Sequence, residues 1–247
     1  MGRAIREALP GFPDVELRVC VARRAGGGPC PPGCMWMTPN ELKQRAATLP
    51  ADLVALDVSV AEGTLGLLES LEQSPRAMVA AATGLDEATE GRIARLAQRA
   101  PVLRAPNLSL GNAVVLSWLG ALPESALDAY EADIVEHHHA GKQDAPSGTA
   151  LVLAAAIEAR RTARVRPRDA APGAPPFGRE AVALHSIRSG AVPGTHRVLF
   201  AGAGETIEIV HTVHDRAVFA RGALQAVRYL HGKPPGRYTV QETLLPR

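Results

Sequence analysis

Strand-like and helix-like segments alternate through the first hundred residues, and this alternation restricts the fold more than any other feature of the chain. Val15–Ala22 reads as a strand ending at Arg23, and Thr38-Pro39 announces a helix over 40–48. Leu53–Ser59 reads as a buried strand, followed by a helix over 62–71 and a strand over 77–82. Gly84-Leu85-Asp86 leads into a helix that runs to about residue 98, and residues 102–106 form a short strand. Met1–Leu9 reads as a helix already under way, with Ile5 and Leu9 four apart and no capping residue ahead of them. Strands that alternate with helices predict a parallel α/β sheet covered on both faces. Ligands of such sheets lie at the carboxyl ends of the strands, here Arg23, Ser59, Thr83 and Asn107.

From about Gly111 the texture changes. A long apolar helix over 113–122 precedes a strand over 132–137, and a helix is expected over 147–160. A loop rich in Arg, Pro and Ala follows over 161–178. Three alternating segments, 181–187, 195–201 and 206–212, are separated by short turns at Ser189-Gly190 and Gly202-Ala203-Gly204, which favours antiparallel pairing. A helix over 219–230 and an extended tail over 236–240 close the chain. The expected fold is a Rossmann-like parallel-sheet domain, short of its first strand, plus an α+β domain with a mostly antiparallel sheet.

A formal net charge of +2 and 4 % aromatic residues give neither the field nor the stacking platform of a nucleic-acid binder. No apolar run approaches the roughly 20 residues of a membrane-spanning helix, and no apolar core follows the first basic residues, so neither membrane association nor a signal peptide is expected. Cys20, Cys30 and Cys34 form no even disulfide framework and lack further ligands at zinc spacing. Free thiols and a cytoplasmic location are the expectation.

The chemistry concentrates in Glu136-His137-His138-His139-Ala140-Gly141-Lys142-Gln143-Asp144-Ala145-Pro146-Ser147-Gly148-Thr149-Ala150. Consecutive strand residues face opposite ways, so His137 and His139 share a face with His138 opposite if the strand continues. No metal is expected there, because the face lacks a third ligand. An imidazole that titrates near neutrality suits a proton donor beside an electrophilic carbon. Pro146 suits a helix start, with Ser147, Gly148 and Thr149 in the first turn. Free N–H groups there, the Thr149 hydroxyl and the helix dipole can hold a carboxylate, and Lys142 adds fixed positive charge.

That string resembles the signature of the dihydrodipicolinate reductase (4-hydroxy-tetrahydrodipicolinate reductase) family, and the likeness spans nearly the whole chain. Asp57-Val58-Ser59 with Glu62-Gly63-Thr64 is similar to the family's third-strand stretch, and Ala82-Thr83-Gly84 to its Thr-Thr-Gly turn beside the nicotinamide. Ala105–Gly111, containing Pro106 and Asn107, resembles the interdomain hinge, and Arg216 a later one. Ser186–Gly190 and Gly194-Thr195-His196 fit the second-domain sheet. Met1–Ile5, with Gly2 and Arg3, resembles the end of the Gly-rich dinucleotide loop. The hinges imply a dinucleotide-binding domain of 1–108 with 216–247, and a substrate and oligomerisation domain of 109–215.

The resemblance implies NAD(P)H-dependent reduction of 4-hydroxy-tetrahydrodipicolinate to tetrahydrodipicolinate, in lysine and diaminopimelate biosynthesis. His138 would donate the proton and Lys142 would stabilise charge developing on nitrogen. His139, Lys142, Ser147, Gly148, Thr149 and Arg216 would hold the dicarboxylate. Gly2, Arg3, Arg23, Arg24, Ser59, Ala82, Thr83, Gly84, Pro106 and Asn107 would line the cofactor site. A homotetramer built through the second-domain sheets is the family norm.

Three departures bear on this. The first strand and early glycines of the dinucleotide loop are absent, so the chain as it stands is expected to bind NADPH weakly, and an upstream extension supplying them to bind it tightly. Ala81-Ala82-Thr83-Gly84 stands where the family has Gly-Thr-Thr-Gly. Arg23, followed by Arg24, replaces the acidic residue that often grips the ribose, which favours the 2′-phosphate of NADPH over NADH. The rival readings are a related imine or enamine reductase acting on another dicarboxylate, and a catalytically impaired paralogue that binds a ligand or partner. The altered turn and the missing strand favour the paralogue. The intact combination of His138, Lys142 and the helix start opposes it.

Overall fold

Short, buried parallel strands with a helix after most of them build the first part of the chain. The computed structural model describes residues 1–23, 32–161 and 181–244. Contacts divide it into two units, Met1–Ser109 with Ala217–Arg247 and Leu110–Arg216. In the first unit, α1 (Gly2–Ala8) turns Ile5 inward. β1 (Val19–Val21) pairs in parallel with β2 (Met35–Met37). β1 is shorter than its apolar run suggested, and β2 was not anticipated, since three residues carry no readable period. α2 (Pro39–Arg45) begins where expected. Thr38 Oγ1 accepts from the Glu41 N–H at 3.3 Å, and the Glu41 carboxylate accepts from the Thr38 N–H at 2.7 Å, a reciprocal cap. Then come β3 (Ala55–Asp57), α3 (Ala61–Gln73), β4 (Met78–Ala80), α4 (Glu87–Leu96) and β5 (Pro101–Arg104). All three β4 residues are buried, as a central parallel strand requires.

The second unit opens with α5 (Leu110–Ala121) and the unanticipated short α6 (Glu124–Ala129). β6 (Glu131–His138) follows, then α7 (Gly148–Glu158), β7 (Ala183–Arg188), β8 (Gly194–Ala201) and β9 (Thr206–Val213). The sheet order is β7-β6-β8-β9. β8 and β9 pair antiparallel, as expected. β7, however, does not form a hairpin with β8; it pairs in parallel with β6, which lies between them. The reason is the intervening α7. A helical crossover returns the chain beside its starting strand in the same direction, and the turn at Ser189-Gly190 then leads past β6 rather than back along β7. Leu119, Leu127, Ile134, Leu153, Ile157 and Val198 make the fully buried centre of this unit. Most of the expected loop over 161–178 lies outside the described residues.

The chain returns to the first unit through α8 (Ala217–Leu230) and β10 (Gly236–Tyr238). The main sheet there has the order β10-β5-β4-β3 and is parallel throughout, whereas β1 and β2 form a sheet of their own. A cavity of about 1230 Å³ is lined by residues of both β1 and β3, among them Val19, Val21 and Leu56, and by Ser59 just beyond β3. Gly222 lets α8 pack onto the stretch that follows β5, because a Cβ at that position would lie 1.7 Å from the Leu108 carbonyl oxygen. The expectation of three free thiols is corrected. Cys34 is disulfide-bonded, and its Sγ lies 3.8 Å from Cys20 Sγ. A cysteine count says nothing about which sulfurs the fold brings within bonding geometry.

Candidate active site

β6 carries the site. Its residues alternate between half-buried and buried, which places Ala132, Ile134, Glu136 and His138 on the face packed against the core. His137 points the other way and meets Ser189 Oγ at 2.7 Å. His138 is therefore opposite His137, as the alternation implied. His139 lies beyond the strand end, its N–H donating to the Val192 carbonyl at 2.8 Å.

Ser147 is the N-cap of α7 rather than a first-turn residue, with Pro146 just outside the helix. Its hydroxyl accepts from the Ala150 N–H at 3.2 Å and meets His196 Nε2 at 3.0 Å, so the side chain is buried and committed to the helix start. Gly148 and Thr149 open the helix and are half-buried. The Gly148 N–H donates to the Asp144 carboxylate, which also accepts from Lys142 Nζ at 2.7 Å. The helix start and Lys142 thus hold a carboxylate already, and it is one of the protein's own.

Glu136 lies under these groups with no exposed surface. Both Arg188 terminal nitrogens donate to it, at 2.8 and 2.6 Å, and the Ser147 N–H donates at 3.2 Å. His138 Nδ1 is hydrogen-bonded to its second oxygen. Burial works to raise the Glu136 pKa, but the hydrogen bonds from Arg188, Ser186 and His138 outweigh it and hold the carboxyl at about 2. For His138, burial lowers the pKa, Glu136 opposes that, and Lys142 and Arg188 add to it; the net direction is downward. Burial, with the adjacent His138, pushes His196 down to about 3.

The remaining expected substrate residue, Arg216, is exposed at the end of the second unit. In the first unit, Arg23, Thr83 and Gly84 are exposed, Ala82 is buried, and Ser59 Oγ donates to Asp57 at 2.6 Å. Gly84 has a φ of +68°, and a Cβ there would meet nothing within 4 Å. Asn107 is half-buried beside Pro106 and caps the Ser109 N–H at 2.8 Å. Gly2 and Arg3 are exposed at the start of α1, where Arg3 pairs with Glu7 at 2.8 Å. Arg24 lies outside the described residues.

Sequence reasoning missed Glu136, Arg188 and His196 as parts of the site. Glu136 was accessible, since it stands two residues before His138 on a strand and must share its face. Arg188 and His196 were not, because strand order decides their approach.

A parallel-sheet unit and a mixed-sheet unit that gathers an imidazole, an ammonium and a carboxylate-holding helix start define a class of two-part α/β proteins equipped for acid–base chemistry on anions. Family models described as dihydrodipicolinate reductase, N-terminus, and dihydrodipicolinate reductase, C-terminus, match residues 1–108 and 113–244. A 4-hydroxy-tetrahydrodipicolinate reductase of Thiobacillus denitrificans is 36 % identical, over 99 % of this chain and 94 % of its own. One from Thermomicrobium roseum is 39 % identical, over 98 % and 94 %. A dipicolinate-bound dihydrodipicolinate reductase from Paenisporosarcina superposes with a TM-score of 0.73 at 21 % identity, over 99 % of this chain and 95 % of that one, which speaks for the fold. The chain belongs to the dihydrodipicolinate reductase family.

The His196 shift has a consequence for stability. A buried histidine held neutral binds fewer protons than in the unfolded chain at every pH between its folded and unfolded values, about 3 and 6.5. Its contribution is therefore complete above about pH 6.5 and is lost as the pH falls. Calorimetry is expected to give a melting temperature that declines from pH 7 to pH 5, with a shallower decline in His196→Gln. Equal slopes in the two proteins would rule His196 out as the source.

Proposed function

We propose that the chain catalyses NAD(P)H-dependent reduction of 4-hydroxy-tetrahydrodipicolinate to tetrahydrodipicolinate, with loss of water, in lysine and diaminopimelate biosynthesis. One observation carries the substrate class: Lys142 and the Gly148 N–H already share a carboxylate, that of Asp144. A substrate carboxylate takes that position by exchange, with His139, Thr149 and Arg216 completing its binding. The reduced nicotinamide, when bound, supplies the hydride. His138 donates the proton, and the Lys142 ammonium stabilises charge at the ring nitrogen.

The exposed strand-end residues of the first unit fit a dinucleotide. Gly84 leaves open backbone, Ser59 and Thr83 offer hydroxyls, and Arg23 stands free at the end of β1 to pair with a 2′-phosphate. Gly2, Arg3, Ala82, Pro106 and Asn107 complete the proposed set. NADPH is then the preferred cofactor, because a guanidinium gains a paired anion that NADH does not offer. Assembly into a homotetramer through the mixed sheets is supported by Ile187 and Val210, which are 44 % and 50 % exposed on strands of that sheet. Light scattering on the wild-type chain is expected to give the mass of four copies, and Val210→Lys a smaller species; a monomeric wild type would remove the assembly.

Lys142→Ala and His138→Ala are expected to lower kcat by about two to four decades, the usual scale of lost acid–base or electrostatic help. Thr149→Val is expected to raise KM and weaken inhibition by pyridine-2,6-dicarboxylate. Retention of wild-type kcat by both alanine variants would overturn the assigned roles, and unchanged inhibitor affinity would overturn the carboxylate site.

Fluorescence titration is expected to show tighter binding of NADPH than of NADH, with the preference moving towards NADH in Arg23→Glu. A wild-type preference for NADH would sink the reading of Arg23.

A further inference from the structure

The buried carboxylate of Glu136 has no part in the reaction as drawn above, yet it is the most heavily hydrogen-bonded side chain of the site. It accepts from both Arg188 terminal nitrogens, from the Ser147 N–H and from Ser186, and its remaining contact is with His138 Nδ1. A salt bridge from Arg188 alone would satisfy the charge. The additional contact fixes a ring.

The opposite edge of that ring is equally constrained. A Cβ on Gly194 would lie 2.9 Å from His138 Nε2 and 3.2 Å from Cδ2. Only a glycine on β8 leaves the space beside Nε2 open. The His196 ring meets His138 edge-on, with centroids 5.1 Å apart. We propose that Glu136 is the positioning residue for His138: it holds the Nδ1 proton and aims Nε2, in the gap kept by Gly194, as the end of the imidazole that serves the substrate. This rests on the reading of His138 as the proton donor.

The arrangement has a physical logic. An imidazolium that gives up its Nε2 proton must keep the one on Nδ1, and a buried carboxylate acceptor stabilises the imidazolium before proton transfer and the Nδ1–H tautomer after it. The charged and titratable groups around His138 are Glu136 on β6, Arg188 on β7, His196 on β8, and Lys142 with Asp144 on the loop; His211 on β9 acts on His196. Glu136 alone favours the imidazolium by direct hydrogen bonding, against burial, Lys142 and Arg188. Removing its charge must therefore lower the His138 pKa.

The test reads His138 directly, by NMR titration of its ring, alongside the pH dependence of kcat in the full chain. Glu136→Gln is expected to lower the His138 pKa by about one pH unit or more, and to move the alkaline limb of kcat, where the acid is lost, to lower pH by a similar amount. Glu136→Asp, which keeps the charge, is expected to restore most of the pKa while kcat stays reduced through the shorter reach. Gly194→Ala leaves Glu136 untouched and is expected to lower kcat at least tenfold with KM nearly unchanged. A His138 pKa that is the same in Glu136→Gln and wild type overturns the proposal. Should Glu136→Gln fail to fold, an unchanged kcat in both Glu136→Asp and Gly194→Ala overturns it instead. A lowered His138 pKa with an unmoved kcat limb keeps the coupling but refutes His138 as the proton donor, so the two failures are told apart.

Discussion

A single buried carboxylate organises the second unit. Glu136 joins β6 to β7 through Arg188, to the start of α7 through the Ser147 N–H, and to the imidazole of His138. Its burial is tolerable only because every neighbour donates to it. Removing one partner from such a pair costs on the order of 3–5 kcal/mol, since the other charge is then left uncompensated. Replacing a whole buried ion pair with well-packed apolar residues is often neutral or stabilising in proteins. The network is therefore better explained by what it orients than by what it stabilises.

The orientation depends on the sheet order. β7 reaches the cluster because α7 carries the chain back beside β6 in parallel, bringing Arg188 onto a strand neighbouring Glu136, 52 residues away in sequence. β8 lies on the other side of β6 and supplies Gly194 and His196. A β7–β8 hairpin, which the turn chemistry alone favoured, would have separated Arg188 from Glu136 by a strand. The helix of the same crossover begins at the cap that presents Gly148 to the Asp144 carboxylate. Core packing, helix capping and site geometry are thus a single arrangement in this unit.

In the first unit the parallel sheet was readable because its strands are short apolar runs, most of them followed by a helix. Thr38 and Asp86 cap the helices that their positions announced. β2 escaped notice because Met35–Met37 is too short to show a period, and α6 because six residues seldom signal a helix. The pairing of Cys34 in a disulfide was equally hidden, as thiol separation is a property of the fold and not of spacing along the chain.

Local interactions are what the sequence by itself determined. Alternation put Glu136 and His138 on one buried face of a strand, Ser147 capped the following helix, and Lys142 fell on the loop between them. These features depend on backbone periods of two and 3.6 residues and on hydrogen bonds spanning three or four positions. Only the tertiary structure decided which strands became neighbours, and with them the approach of Arg188, Gly194 and His196 to His138. It also decided the direction of each pKa shift, because burial and the sum of nearby charges depend on distances through space that no spacing along the chain encodes.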